Sequence, residues 1–127
     1  MIKKIAFKLT LILILGLSQR VSAQVKNMNL NEFIAKIKTS NGAQLVDVRT
    51  PGEWAQGKIA SSHLISIADP NFLSQASKLD KNKPVFVYCA VGGRSPRAAY
   101  MLSQAGFKQV YNLSGTGYRE LAAKGIK

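Results

Sequence analysis

Cysteine occurs once in the 127 residues, at position 89. It opens the segment Cys89-Ala90-Val91-Gly92-Gly93-Arg94-Ser95-Pro96, directly after the apolar run Pro84-Val85-Phe86-Val87-Tyr88. Such a run reads as a central strand of a parallel sheet. Ser95-Pro96 combines an N-cap residue with proline at the first helical position. Cys89 is therefore expected between a strand end and a helix start, where open α/β sheets place their ligands. Gly92 and Gly93 let the chain curl with successive N–H groups pointing inward, as an anion-binding nest. The helix start adds a positive dipole end, and Arg94 adds a full charge. All three favour the thiolate, which is the nucleophilic form. The chemistry this predicts is covalent catalysis by a cysteine of depressed pKa. A core cysteine would need neither the two glycines nor the arginine and capped helix behind it.

Other chemistries are excluded by count. One cysteine forms no internal disulfide, no CxxC redox pair and no cysteine-based zinc cluster. His63 is the single histidine, so a two-histidine metal site is not expected. It reads as a surface or edge residue rather than a catalytic base. No metal and no cofactor are expected. The segment Asn112-Leu113-Ser114 has the form of a glycosylation sequon and is read as chance.

The elements that must position Cys89 follow from periodicity. Asn29-Leu30-Asn31-Glu32 has a capping-box pattern. Leu30, Phe33, Ile34 and Ile37 then share one helical face, and Asn41-Gly42 stops the helix. Leu45 to Val48 and Leu64 to Ile67 read as short strands, with a short helix or turn over Pro51 to Gln56 between them. A helix is expected over Phe72 to Leu79. The helix opened by Ser95-Pro96 runs to about Ala105, with Gly106 as its C′ residue. Gln109 to Asn112 is a last strand and Tyr118 to Lys124 a last helix. Alternation of strands and helices predicts an α/β sandwich with a mostly parallel sheet flanked by helices. Trp54 and Tyr111 are expected in the core.

The chain carries 18 Lys+Arg against 6 Asp+Glu, a net charge of +12. Part of this belongs to the first 23 residues. Lys3, Lys4 and Lys8 precede the uncharged stretch Leu9 to Leu17, and Val21-Ser22-Ala23 follows as a small-residue cleavage pattern. This is the layout of a cleaved secretory signal peptide. Nine apolar residues are too few to span a bilayer, which takes about 20. Residues 24–127 are then one mature domain with 14 bases and 6 acids, a net of +8. A periplasmic or secreted location is expected, without stable membrane insertion. Nucleic acid is not expected as a partner, since no stretch interleaves aromatics with Lys/Arg.

The loop resembles the active loop of single-domain rhodanese-like sulfurtransferases, whose pattern is close to C-x-x-G-x-R-S. Two further segments match in order. Leu45-Val46-Asp47-Val48-Arg49-Thr50-Pro51-Gly52-Glu53-Trp54 resembles the family's L-x-D-V-R-x-x-x-E-[YFW] motif. Ala105-Gly106-Phe107 with Val110, Leu113 and Gly115 resembles its closing A-G-F…V-x-x-L-x-G motif. The resemblance covers about Leu30 to Gly125. It departs where the family often has G-H-I-x-G-A-x-N-I: Lys58 replaces the histidine and Ser61 the second glycine. Gly115-Thr116-Gly117 replaces the closing G-G, and the usual tryptophan that follows is absent, with Leu121 nearby.

The resemblance implies a rhodanese-like three-layer sandwich and a persulfide mechanism. Cys89 would take the outer sulfur of thiosulfate or a similar small anionic donor. It would pass that sulfur to cyanide, a thiol or an exported acceptor protein. Ala90, Val91, Gly92, Gly93, Arg94 and Ser95 would form the active loop, with Arg94 orienting it and binding the donor. Ser95 would cap the helix and touch the bound anion. Asp47 and Arg49 would support the site. Asp47 reads as a buried carboxylate bonded to backbone N–H groups. Arg49 has two readings, an ion pair with Glu53 or a place at the site mouth. Two rivals are carried. One is a persulfide carrier or partner-binding module without turnover. The other is a phosphatase or arsenate reductase, which uses C-x5-R where this chain has four residues between Cys89 and Arg94.

Overall fold

A computed structural model describes residues 24–127. The expected leader lies outside the described residues. The elements alternate: β1 (Val25–Met28), α1 (Leu30–Thr39), β2 (Gln44–Asp47), α2 (Pro51–Ala55), β3 (His63–Leu64), α3 (Phe72–Ala76), β4 (Val85–Tyr88), α4 (Ser95–Gln104), β5 (Val110–Leu113) and α5 (Tyr118–Ala123). The strands form one sheet in the order β1-β5-β4-β2-β3, and every ladder is parallel.

β4 shows why three layers form. All four of its residues are buried, and alternate side chains leave opposite faces of a strand. Val85, Val87 and Cys89 enter one core with Phe72 and Ala76 of α3 and Ala98 and Leu102 of α4. Phe86 and Tyr88 enter the other core with Phe33 and Ile34 of α1 and Leu121 of α5. Phe86 is the centre of that second core. Its ring meets Phe33 edge-on at 5.4 Å and stacks on Tyr111 at 4.8 Å. Phe86→Ala is expected to cost about 3–5 kcal/mol, because a removed ring leaves a cavity its neighbours cannot fill. Denaturant unfolding of the variant checks this.

The first helix forms as read, with both bonds of the Asn29–Glu32 capping box present. Gly42 (φ +76) and Gly106 (φ +101) take the left-handed conformation at the turns that follow α1 and α4. Three readings change. β1 was not expected: two of its four residues are exposed, so it has no apolar run, and it is held by pairing with β5. β3 is only His63–Leu64, although Ile65 and Ile67 still donate to the carbonyls of Asp47 and Val48 at 3.0 and 3.1 Å. α3 stops at Ala76, where a turn carries the chain to Leu79. His63 is exposed on its edge strand and Tyr111 is core, as read, while Trp54 is half-buried. Asn112 has no exposed surface, which closes the sequon to any modifying enzyme in the folded state.

Candidate active site

Cys89 follows the last residue of β4, at the C-terminal edge of the sheet. The sulfur accepts three backbone N–H bonds, from Gly92 (3.1 Å), Ser95 (3.3 Å) and Arg94 (3.4 Å). Two of these donors lie at the start of α4, where helical N–H groups lack internal partners. The sulfur therefore takes the place of a capping oxygen. This corrects the reading of Ser95. The N-cap position is Arg94, whose own side chain makes no capping bond. The Ser95 hydroxyl is buried with no hydrogen-bond partner, yet it is near enough to the sulfur to favour its ionisation.

Burial is the largest single effect on the thiol and pushes its pKa up. The Ser95 side chain and the N–H groups of Arg94, Ser95 and Gly92 act the other way, and the net shift is downward. The cause is a set of donors aimed at the sulfur, a hydrogen-bonded stabilisation of the charged form. Gly92 sits at φ +93, and a Cβ there would meet the backbone of Gly115 at 3.0 Å. Gly93 has neither constraint, so of the two loop glycines only Gly92 is sterically required.

Arg94 sets its guanidinium on Glu53 of α2, in a two-pronged pair of 2.7 and 2.9 Å. Glu53 also accepts from the Thr50 N–H and hydroxyl, closing a capping box on α2. The Thr50-x-x-Glu53 spacing is itself a capping-box signature. The Arg94 hydrogen bonds hold the Glu53 carboxyl down at about 2, against the opposing effect of burial. The pair is lost only as pH falls through that value. Glu53→Gln removes the charge and one acceptor oxygen. It is expected to cost about 1 kcal/mol for a bidentate but half-exposed pair, and to slow reactions at Cys89 by roughly 3- to 10-fold as the loop loosens. Unfolding and thiol-alkylation rates measure the two effects.

Arg49 does not pair with Glu53. It pairs with Asp47, with Nη2 at 2.8 Å and Nε at 3.0 Å from the carboxylate, and Nη2 also donates to the Gly57 carbonyl at 2.9 Å. Asp47 is fully buried and accepts from one backbone N–H, that of Arg49, and from the Tyr88 hydroxyl. Its burial is as expected, but side chains rather than backbone N–H groups supply most of its donors. Tyr88 passes the network on to Ser62 at 2.7 Å. The Arg49 guanidinium lies over the Tyr118 ring, 3.8 Å from its centre, a cation–π contact. Arg49 also reaches the cleft next to the loop. With Glu53, Ala90, Val91, Tyr118 and Arg119 it lines a cleft of about 400 Å³ beside the loop. Tyr118 and Arg119 were not singled out from the sequence, since nothing in a six-residue terminal helix signals that it reaches the loop.

The last wall is Gly115-Thr116-Gly117. The Tyr118 N–H donates to the Cys89 carbonyl at 2.9 Å. Gly117 passes so close that a Cβ would overlap the carbonyls of Ala90 and Cys89. Cys89 itself has no exposed surface, while Val91 at the loop tip is 75% exposed. Among the described residues no group of His, Cys, Asp and Glu could hold a metal ion. No helix among them is long and apolar enough to cross a membrane.

A parallel α/β sheet with a cysteine cradled where its central strand meets a helix defines a protein with a cysteine site in a strand-to-helix loop. The rhodanese-like domain family matches residues 29–124, and the chain belongs to that family. A sulfurtransferase of Allochromatium vinosum is 33% identical over 96 residues, 72% of this chain and 83% of that protein. The thiosulfate sulfurtransferase GlpE of Ectopseudomonas mendocina is 40% identical over 77 residues, 60% of this chain and 68% of that protein. The crystal structure of a rhodanese-like domain protein from Staphylococcus aureus is 28% identical and superposes with a TM-score of 0.66, covering 80% of this chain and 96% of that one.

Proposed function

We propose that this protein is a sulfurtransferase that carries a sulfane sulfur as a persulfide on Cys89. The observation that carries the reading is the sulfur held by three backbone N–H groups. Such a cradle stabilises an anionic sulfur with no general base. The thiolate attacks the outer sulfur of thiosulfate or a related donor. The donor S–S bond breaks, sulfite leaves with its electron pair, and a Cys89 persulfide remains. A thiolate or cyanide then attacks the outer sulfur, and the electron pair of the Cys89–sulfur bond returns to Sγ. The names of the sulfurtransferase relatives support the same class. An exported, periplasmic setting, with residues 24–127 as the working domain and a small acceptor or exported acceptor protein, completes the reading.

Incubation with thiosulfate followed by intact-mass measurement tests it. The expected result is a gain of one sulfur, removed by cyanide with release of thiocyanate. No gain from thiosulfate, mercaptopyruvate or polysulfide would sink it. Steady-state turnover with a small acceptor separates an enzyme from a passive carrier. The four-residue spacing from Cys89 to Arg94 and the engagement of the Arg94 guanidinium by Glu53 both disfavour a tetrahedral oxyanion site of the phosphatase kind.

A further inference from the structure

We infer that the pole of the molecule opposite Cys89 is a docking face for a bilayer of anionic lipid. Because every ladder is parallel, the strands begin on one edge, and the register aligns Val25, Val110, Val85 and Gln44 across it. Cys89 follows β4 at the other edge. Residues 38–43, 80–84 and 105–109 lead into the first edge. They carry Lys38, Lys81, Lys83 and Lys108 against one acid, Asp80, and all four lysines are exposed. These connections are tied together. The Lys108 N–H donates to the Lys81 carbonyl at 3.0 Å. The Gln44 side chain donates to the carbonyls of Asp80 and Lys83 at 2.8 and 3.3 Å. The Lys83 stem lies over Gly42 and the Lys81 stem beside Gly106. The charges therefore share one rim.

Lys38 has a local reason to be where it is, since it lies in the last turn of α1 and complements the helix dipole. Lys81, Lys83 and Lys108 lie outside the helices, and no ion pair among the described residues uses a lysine. The two edges also differ in the kind of cation they hold. Arg49, Arg94 and Arg119 lie about the site, and Arg97 is in the first turn of α4 beside it. Arginine suits fixed, planar partners, whereas lysine is a hydrated point charge on a flexible stem, as mobile headgroups require. A protein partner would need an apolar centre to its interface. The exposed large apolar side chains among the described residues are Leu73, Val91 and Tyr100, all outside the lysine rim. The chain also enters the domain at this edge. Residue 24 precedes β1, so residues 1–23, with the apolar stretch Leu9 to Leu17, join there. On the export reading, a leader held in the bilayer brings this face to the lipid. Docked so, the Cys89 edge faces away from the lipid and stays open to donor and acceptor.

Co-sedimentation with vesicles tests the face. The protein should partition onto vesicles of equimolar phosphatidylglycerol and phosphatidylcholine, and not onto phosphatidylcholine alone. Binding should vanish in about 1 M salt, where charges are screened beyond about 3 Å. Each lysine near an anionic surface strengthens binding about 5-fold, so Lys83→Gln/Lys108→Gln should weaken it roughly 10- to 30-fold. Lys58→Gln/Arg97→Gln removes the same charge from exposed positions at the Cys89 edge. It should weaken binding by less than about 3-fold. Equal partition onto both vesicle types, as an inserting leader would give, overturns the inference. So does an equal loss in the two variants, which would assign binding to net charge alone. Retention on polyglutamate without binding to the anionic vesicles would make the partner an acidic protein and overturn it as well. Absence of sulfur loading on Cys89 would remove the transferase reading and leave the vesicle result standing.

Discussion

Cys89→Ser is expected to abolish the sulfur gain from thiosulfate, with any transfer rate lowered on the order of 10³-fold or more. A serine hydroxyl stays protonated where the thiol ionises, so the three N–H groups have no anion to stabilise before attack. The same donors can bond a serine oxygen, so the fold should survive, and an unchanged circular dichroism spectrum separates lost chemistry from lost structure. Cys89 is the single cysteine, so no second thiol can substitute. A one-sulfur gain persisting in the Cys89→Ser protein would show that the sulfur goes elsewhere.

The same cradle dictates a pH dependence. The folded-state pKa of Cys89 lies below its ordinary value: burial pushes it up, and the Ser95 side chain together with the N–H donors outweighs burial. Folding therefore favours the thiolate. The stability this adds is fully present above the pKa of the unfolded thiol and is lost as pH falls through the folded one. Alkylation rate against pH should show a midpoint lower in the folded protein than in the same chain unfolded in urea. Coincident midpoints would mean that the cradle does not act on the sulfur.

Part of this site was readable in the residues and part was not, and the division is physical. Strand, loop and helix around Cys89 are local. Each is announced by a run of neighbours: an apolar stretch, glycines, then serine and proline. The sheet's centre was legible for the same reason, because β4 is buried on both faces and its composition shows it. Contacts made across the fold carry no such signal. Glu53 and Arg94 are 41 positions apart, and either could have paired with another partner. Asp47 took Arg49 because residues two apart fall on the same side of an extended chain, which left Glu53 free for the loop. Ser95 was misread because a side chain outside the helix, the Cys89 sulfur, had already claimed the N–H groups a serine would cap. Of Gly92 and Gly93, composition cannot tell which is needed. Only the closeness of Gly115 decides it.

Gly117→Ala should be the most disruptive glycine-to-alanine change among the described residues. The residue is extended (φ −164), so the backbone angle would suit alanine and the obstacle is purely steric. The added Cβ would overlap the carbonyls of Ala90 and Cys89. These are main-chain atoms with no rotamer to swing away, so the strand-to-helix loop or the β5–α5 connection has to move. Either movement breaks the bond from the Tyr118 N–H to the Cys89 carbonyl at 2.9 Å. It also shifts Tyr118, on whose ring Arg49 rests. Overpacking of this kind costs about 1–3 kcal/mol, and the lost backbone bond adds about 1. Loading of Cys89 should fall at least on the order of 10-fold, since a displacement of about 1 Å at a reacting group carries penalties of up to about 10². Gly93→Ala is the matched control. A Cβ there meets nothing within 4 Å, so loading and stability should stay near those of the parent protein. Equal behaviour of the two variants in denaturant unfolding and sulfur loading would remove the β5–α5 connection from the site.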